Sequence, residues 1–204
     1  MTRDSVRRSS ESTGDADASE DNAAYLNRVA DRLEHSYDLD WERHVHGESF
    51  ELYGRLRIEH RKQFLHPSIT YADHGSHEHL FVRRTSPVKR ADLDRLVELG
   101  HTLAEEWIDP DETHYSTEFT FVLIAPEITD AVRAFVDGFR DRTLLKLGFY
   151  GHYEVNLVVV APERQEFVAS TNAEIEAAFA PWDRQEPNPE PGGWFDRLVG
   201  RLRS

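Results

Sequence analysis

The sequence predicts an α/β (α+β) fold on a single mixed β-sheet, and three observations carry that prediction. Residues 49–59 alternate apolar Phe50, Leu52, Leu56 and Ile58 with Glu51, Tyr53, Arg55, Arg57 and Glu59. That period of two is a strand with one buried and one wet face. The runs 119–124 (FTFVLI) and 155–160 (VNLVVV), apart from Thr120 and Asn156, are apolar on both faces, as interior strands are. Before and between these strands, apolar residues recur at helical spacing.

In chain order, a helix is expected over about 22–37, where Leu26, Val29, Leu33 and Tyr37 follow the caps Asp21 and Asn22. The strand over 49–59 comes next, with Gly54 holding its apolar phase. Strands over 68–72 and 78–84, joined by the turn-rich Asp73-His74-Gly75-Ser76, complete an antiparallel meander start. Ser86-Pro87 reads as a helix start, the hydroxyl as cap and proline in the first turn. Leu93, Leu96, Val97, Leu103, Ala104 and Trp107 continue that stripe until the acidic loop 109–112. After the first interior strand, Ala125-Pro126-Glu127 opens a helix carrying Ile128, Val132, Phe135, Val136 and Phe139. Residues 144–150 fit a helix continuation or a strand equally well. A short helix over 171–179, with Thr171 and Glu174 as a capping box, closes the order α-β-β-β-α-β-α-β-(β)-α. Both interior strands end in Ala-Pro-Glu, at 125–127 and 161–163.

Composition bears on environment more than on chemistry. Asp and Glu number 38 against 24 Lys and Arg, giving a net charge of −14, and Lys62, Lys89 and Lys146 are the only lysines. Dense carboxylates with almost no lysine suit multimolar salt, where the Debye length is about 3 Å or less and self-repulsion is screened. The acidity therefore reads as an adaptation to the solvent, and nucleic acid is an unfavoured partner. The absence of cysteine excludes disulfide scaffolds, thiol catalysis and Cys-ligated metal. No signal peptide or spanning run is read, so a cytoplasmic location is expected, with a membrane-peripheral variant.

Residues 1–21 read as a Ser-rich acidic tail, 22–182 as one domain and 183–193 as a Pro/Gly linker. Residues 194–204 read as an amphipathic helix with Trp194, Phe195, Leu198, Val199 and Leu202 on one face. Arg197, Arg201, Arg203 and Asp196 occupy the other face. Such a helix docks on an unknown protein partner, lies on a membrane surface, or folds back on its own domain.

Three groupings are candidates for chemistry. The order α-β-β-β-α-β resembles the core of the restriction-endonuclease-like nucleases, which place an Asp on one strand and Asp/Glu-x-Lys on the next. Asp73 and Glu78 stand where those acids would be, but Leu80 replaces the lysine, so the resemblance carries topology without the catalytic set. His74, His77 and His79 with Asp73 form the richest cluster, and residues two apart on a strand share a face. Imidazole and carboxylate make a divalent metal the one cofactor this cluster would admit; no other cofactor is predicted. His152, Glu154 and Asn156 share a phase at the start of the second interior strand, where His152 would serve as general acid/base oriented by Glu154.

No complete catalytic or cofactor motif is present, so a non-catalytic binding or interaction module is expected. The alternatives are a metal-dependent hydrolase or nuclease-like enzyme built on the His/carboxylate cluster, and a peripheral membrane protein anchored by 194–204. In composition, and in segments such as DRTLLKLGFYGHYEVNLVVVAPE (141–163), the chain resembles small acidic haloarchaeal proteins of an uncharacterised family. That resemblance implies salt adaptation and supplies no site residues.

Overall fold

Helix α1, over 24–33, turns Leu26, Val29 and Leu33 to one side, and the chain then enters a sheet. The computed structural model describes residues 24–60, 74–170 and 175–183. Strands β1 (Asp38–Val45), β2 (Glu48–His60) and β3 (His74–Arg84) form an antiparallel meander. Helix α2 (Arg90–Trp107) crosses to β4 (His114–Ile124), parallel to β3. Helix α3 (Asp130–Gly138) and the short β5 (Arg142–Leu144) lead to β6 (His152–Ala161), parallel to β4. Strand β7 (Glu166–Ala169) and helix α4 (Glu176–Phe179) follow. The seven strands form one mixed sheet in the order β1-β2-β3-β4-β6-β5, with β7 also paired to β6.

The central strands are buried on both sides, which is why 119–124 and 155–160 read as apolar runs, broken only by Thr120 and Asn156. Leu80, Val82, Val122, Ile124, Val158 and Val160 pack under α1 and α4. Phe81, Phe119, Phe121, Leu123, Val155, Leu157 and Val159 pack under α2 and α3. Each fully buried side chain of this size contributes about 1.5–3 kcal/mol. Leu93, Leu96, Leu99 and Leu103 line the buried side of α2. Gly100 lets that helix sit close, since a Cβ there would stand 2.8 Å from Val155 Cγ2. Tyr25 Oη donates to Phe179 O at 2.5 Å and Arg32 Nη1 to Ala178 O at 3.0 Å, joining α1 to α4.

Several boundaries differ from the sequence expectations. The meander's first strand is β1, whose exposed, charged residues show little apolar contrast. The expected strand over 68–72 lies outside the described residues, as do Asp73, the Thr171/Glu174 box and the segments 1–21 and 184–204. His74-Gly75-Ser76, expected as a turn, already belongs to β3: Gly75 pairs with Glu59 and Ser76 with Ile58. Helix α2 begins at Arg90 rather than at Ser86-Pro87, whose peptide bond is cis. There the Asp92 carboxylate accepts the Lys89 N–H at 2.9 Å, and Val88 is buried. Helix α3 begins after Thr129, whose hydroxyl accepts the Val132 N–H at 3.4 Å, and not at Ala125-Pro126-Glu127. In the ambiguous stretch 144–150, Leu144 ends β5 and Leu145–Gly148 form a 3-10 turn.

The two edges of the sheet differ. β1 is eight residues long, and its ladder skips Glu42, which takes a φ of +58°. It joins β2 through His46-Gly47, both at positive φ, a tight hairpin turn of the primed kind. On the far side, β5 pairs with residues 152–154 and β7 with 158–161. Between them Val155 N–H donates to Asp141 O at 3.1 Å and Leu157 N–H to Ser170 Oγ at 3.2 Å.

Candidate functional site

The end of the sheet where β3, β4 and β6 begin is its polar end. Parallel register places Ser76, Ser116 and His152 side by side, then Glu78, Glu118 and Glu154, then Leu80, Thr120 and Asn156. These rows belong to the face covered by α1. Tyr37 Oη donates to Glu78 Oε2 at 2.5 Å. Burial and the charges of Glu78 and Glu118 raise the Tyr37 phenol, so it stays protonated and acts as the donor. Asn156 Nδ2 reaches Glu118 Oε2 at 3.4 Å, and its Oδ1 accepts from Ser170 Oγ at 3.4 Å. Ser116 gives its proton to Ser76 at 3.0 Å. These hydroxyls are therefore satisfied within the cluster.

The predicted trio is brought together here. His152 Nε2 lies 3.5 Å from Glu154 Oε1, and Asn156 follows on the same face of β6. Arg142, across the ladder on β5, approaches Glu154 Oε1 at 3.5 Å and His152 Nδ1 at 3.2 Å. Burial, with the Arg142 and His114 charges adding to it, lowers His152 to about 4. The imidazole is neutral at pH 7. Three carboxyl groups face one guanidinium and one neutral imidazole, so the row holds more acid than base.

His77 and His79 do share a face, as their spacing predicts, but it is the opposite face, under α2. His79 stacks on Phe119 with ring centroids 5.2 Å apart, meets Trp107 edge-on, and shares a hydrogen bond between its Nδ1 and the Tyr53 hydroxyl at 2.7 Å. Burial, followed by the His77 and Arg55 charges, lowers His79 to about 4, and burial likewise lowers His77. His74 starts β3 opposite His60. Among the described residues, no group of three or more His, Asp or Glu is placed to hold a metal ion.

A hydrogen-bonded chain on this face joins β6, α2 and the residue before β5. Tyr153 Oη lies 2.9 Å from His101 Nδ1, and His101 Nε2 lies 3.1 Å from Asp141 Oδ2. Asp141 selects the Nε2–H tautomer, so the phenol donates to Nδ1. Sequence spacing gives no sign of it, because its partners are far apart along the chain.

The third feature is apolar. The hairpin between β5 and β6 lifts Leu144, Leu147 and Phe149 into solvent, 58%, 90% and 82% exposed, with Tyr115 exposed beside its base. Lys146 and Leu147 both adopt left-handed backbone, with φ of +48° and +60°. Such residues cost on the order of 1–3 kcal/mol each and persist where the surroundings fix them. Here Leu145 N–H donates to Gly151 O at 3.0 Å, and Phe149 N–H to Lys146 O at 3.2 Å. Gly151, at φ +74°, packs so closely that a Cβ would fall 2.0 Å from Tyr115 O.

Elsewhere, α3, β7 and α4 border an open groove of about 710 Å3 lined by Asp130, Arg133, Asp137, Phe167 and Glu176. It contains none of the predicted site residues. Trp194, Phe195, Leu198, Val199 and Leu202 lie outside the described residues. No described helix is long and apolar enough to cross a membrane. No curated protein and no solved structure matches the chain. Residues 21–181 match the family described as Domain of unknown function (DUF8052), and the chain belongs to that family.

Proposed function

We propose that this is a non-catalytic docking module of a salt-adapted cytoplasmic protein, with the tip formed by Leu144, Leu147 and Phe149 as its contact surface. The observation that carries the reading is the near-complete exposure of Leu147 and Phe149 on a turn held in left-handed backbone. Single exposed apolar residues are ordinary, but three on one projecting turn of a chain with mean hydropathy −0.64 need an explanation. The pairing of Ser116 with Ser76, Ser170 with Asn156 and His79 with Tyr53 supports a structural role for the polar end.

The chain has no cysteine, so Leu147→Cys gives a unique attachment point for an environment-sensitive fluorophore. Exposed Glu34, on the last turn after α1, serves as the control position. The expected result is a blue shift at position 147, and none at 34, when soluble or membrane fractions of the source cells are added. No shift with either fraction overturns the reading. So does turnover of a panel of phosphoesters, esters or nucleotides that His152→Ala abolishes.

A further inference from the structure

We infer that the tip docks on an anionic lipid surface, with Leu147 and Phe149 entering the interfacial layer and Lys146 facing the headgroup phosphates. The inference rests on the docking reading above and names its partner. The first argument is shape. A protein partner offers pockets for apolar anchors, and a convex turn needs a groove to meet it. A lipid interface accepts a convex apolar tip without a matching cavity.

The second argument is charge. Residues 143–151 carry Lys146 and no carboxylate, while Arg142, just before them, is held by Glu154. On a chain of net charge −14, this tip is locally cationic and holds one of only three lysines. Basic residues near an anionic leaflet favour binding, and the aromatic rings of Tyr115 and Tyr150 at the base suit the headgroup level. Salt screens both the repulsion between an acidic protein and an anionic surface and the attraction of Lys146, so apolar insertion carries the binding at high salt and the lipid preference is read at lower salt.

The test uses the full chain in 0.3 M KCl with phosphatidylglycerol or phosphatidylcholine vesicles, read by co-flotation and by the fluorophore at position 147, and is repeated in 2 M KCl, where binding should persist with a narrower lipid preference. Binding to phosphatidylglycerol is expected, several-fold weaker on phosphatidylcholine. Leu147→Ser with Phe149→Ser should lower it tenfold or more, and Lys146→Glu should remove the lipid preference. All three positions are exposed, so the fold is unaffected. Equal binding to both lipids overturns the inference. A shift with the soluble fraction but not with vesicles also overturns it, yet leaves the docking reading standing. No shift with any fraction removes both.

Discussion

Replacing three glycines with alanine separates backbone conformation from close approach. Gly138, the last residue of α3, has no atom within 4 Å of where a Cβ would stand and no left-handed φ. There Gly→Ala should stabilise by about 0.4–1 kcal/mol, by restricting the unfolded chain. Gly47 also has open space around it but sits at φ +79°, so alanine should cost about 1–2 kcal/mol for the left-handed backbone alone. Gly151 combines both burdens: φ is +74°, and a Cβ would meet Tyr115 O at 2.0 Å and Tyr115 C at 2.6 Å. Both are backbone atoms of β4, so no side-chain rotation relieves the contact. Adding about 1–3 kcal/mol for overpacking gives a cost of roughly 2–5 kcal/mol. Urea unfolding at fixed KCl measures all three. If Gly151→Ala costs no more than Gly47→Ala, the close approach that seats the tip hairpin on β4 is wrong.

Two further outcomes follow from the buried groups. His79 and His152 are both lowered to about 4, so between about pH 6.5 and 4 the unfolded chain binds protons that the folded chain refuses. Stability should therefore fall as pH drops through that window, and His79→Gln or His152→Gln should each make the fall shallower in urea titrations. An unchanged slope in both would refute the burial of these imidazoles. Tyr153→Phe removes the donor to His101 Nδ1 and should cost about 1 kcal/mol. Unchanged stability would mean that the Tyr153–His101–Asp141 chain does not form.

Most of the architecture was legible where burial is strong. Val122 and Val158 lie in the mostly apolar later parts of β4 and β6, and Leu26, Val29 and Leu33 of α1 repeat at helical spacing. β1 was not legible: its Asp38, Asp40, Trp41, Glu42 and His44 are exposed, so no apolar phase marks it. The polar end was half legible. Phase alone grouped His152, Glu154 and Asn156, but their neighbours Glu78 and Glu118 come from other strands and become visible only through register. Residue type misdirected the reading of His74-Gly75-Ser76, whose turn-like composition is overridden by pairing to β2. The tip was invisible because Leu-Lys-Leu-Gly-Phe fits a buried helix or strand equally well. Only the left-handed backbone at Lys146 and Leu147 turns those side chains outward.

The unequal edges of the sheet have a stoichiometric consequence. Strands β5 and β7 are three and four residues long, and Phe167 O on β7 already accepts from Arg133 Nη1 at 3.3 Å. Neither is long enough to template a further strand. Among the described strands, the eight-residue β1 alone offers a longer row of edge backbone groups, broken at Glu42. Two copies joined β1 to β1 about a two-fold axis consume both rows at once, so strand addition terminates at two chains instead of propagating into a fibre.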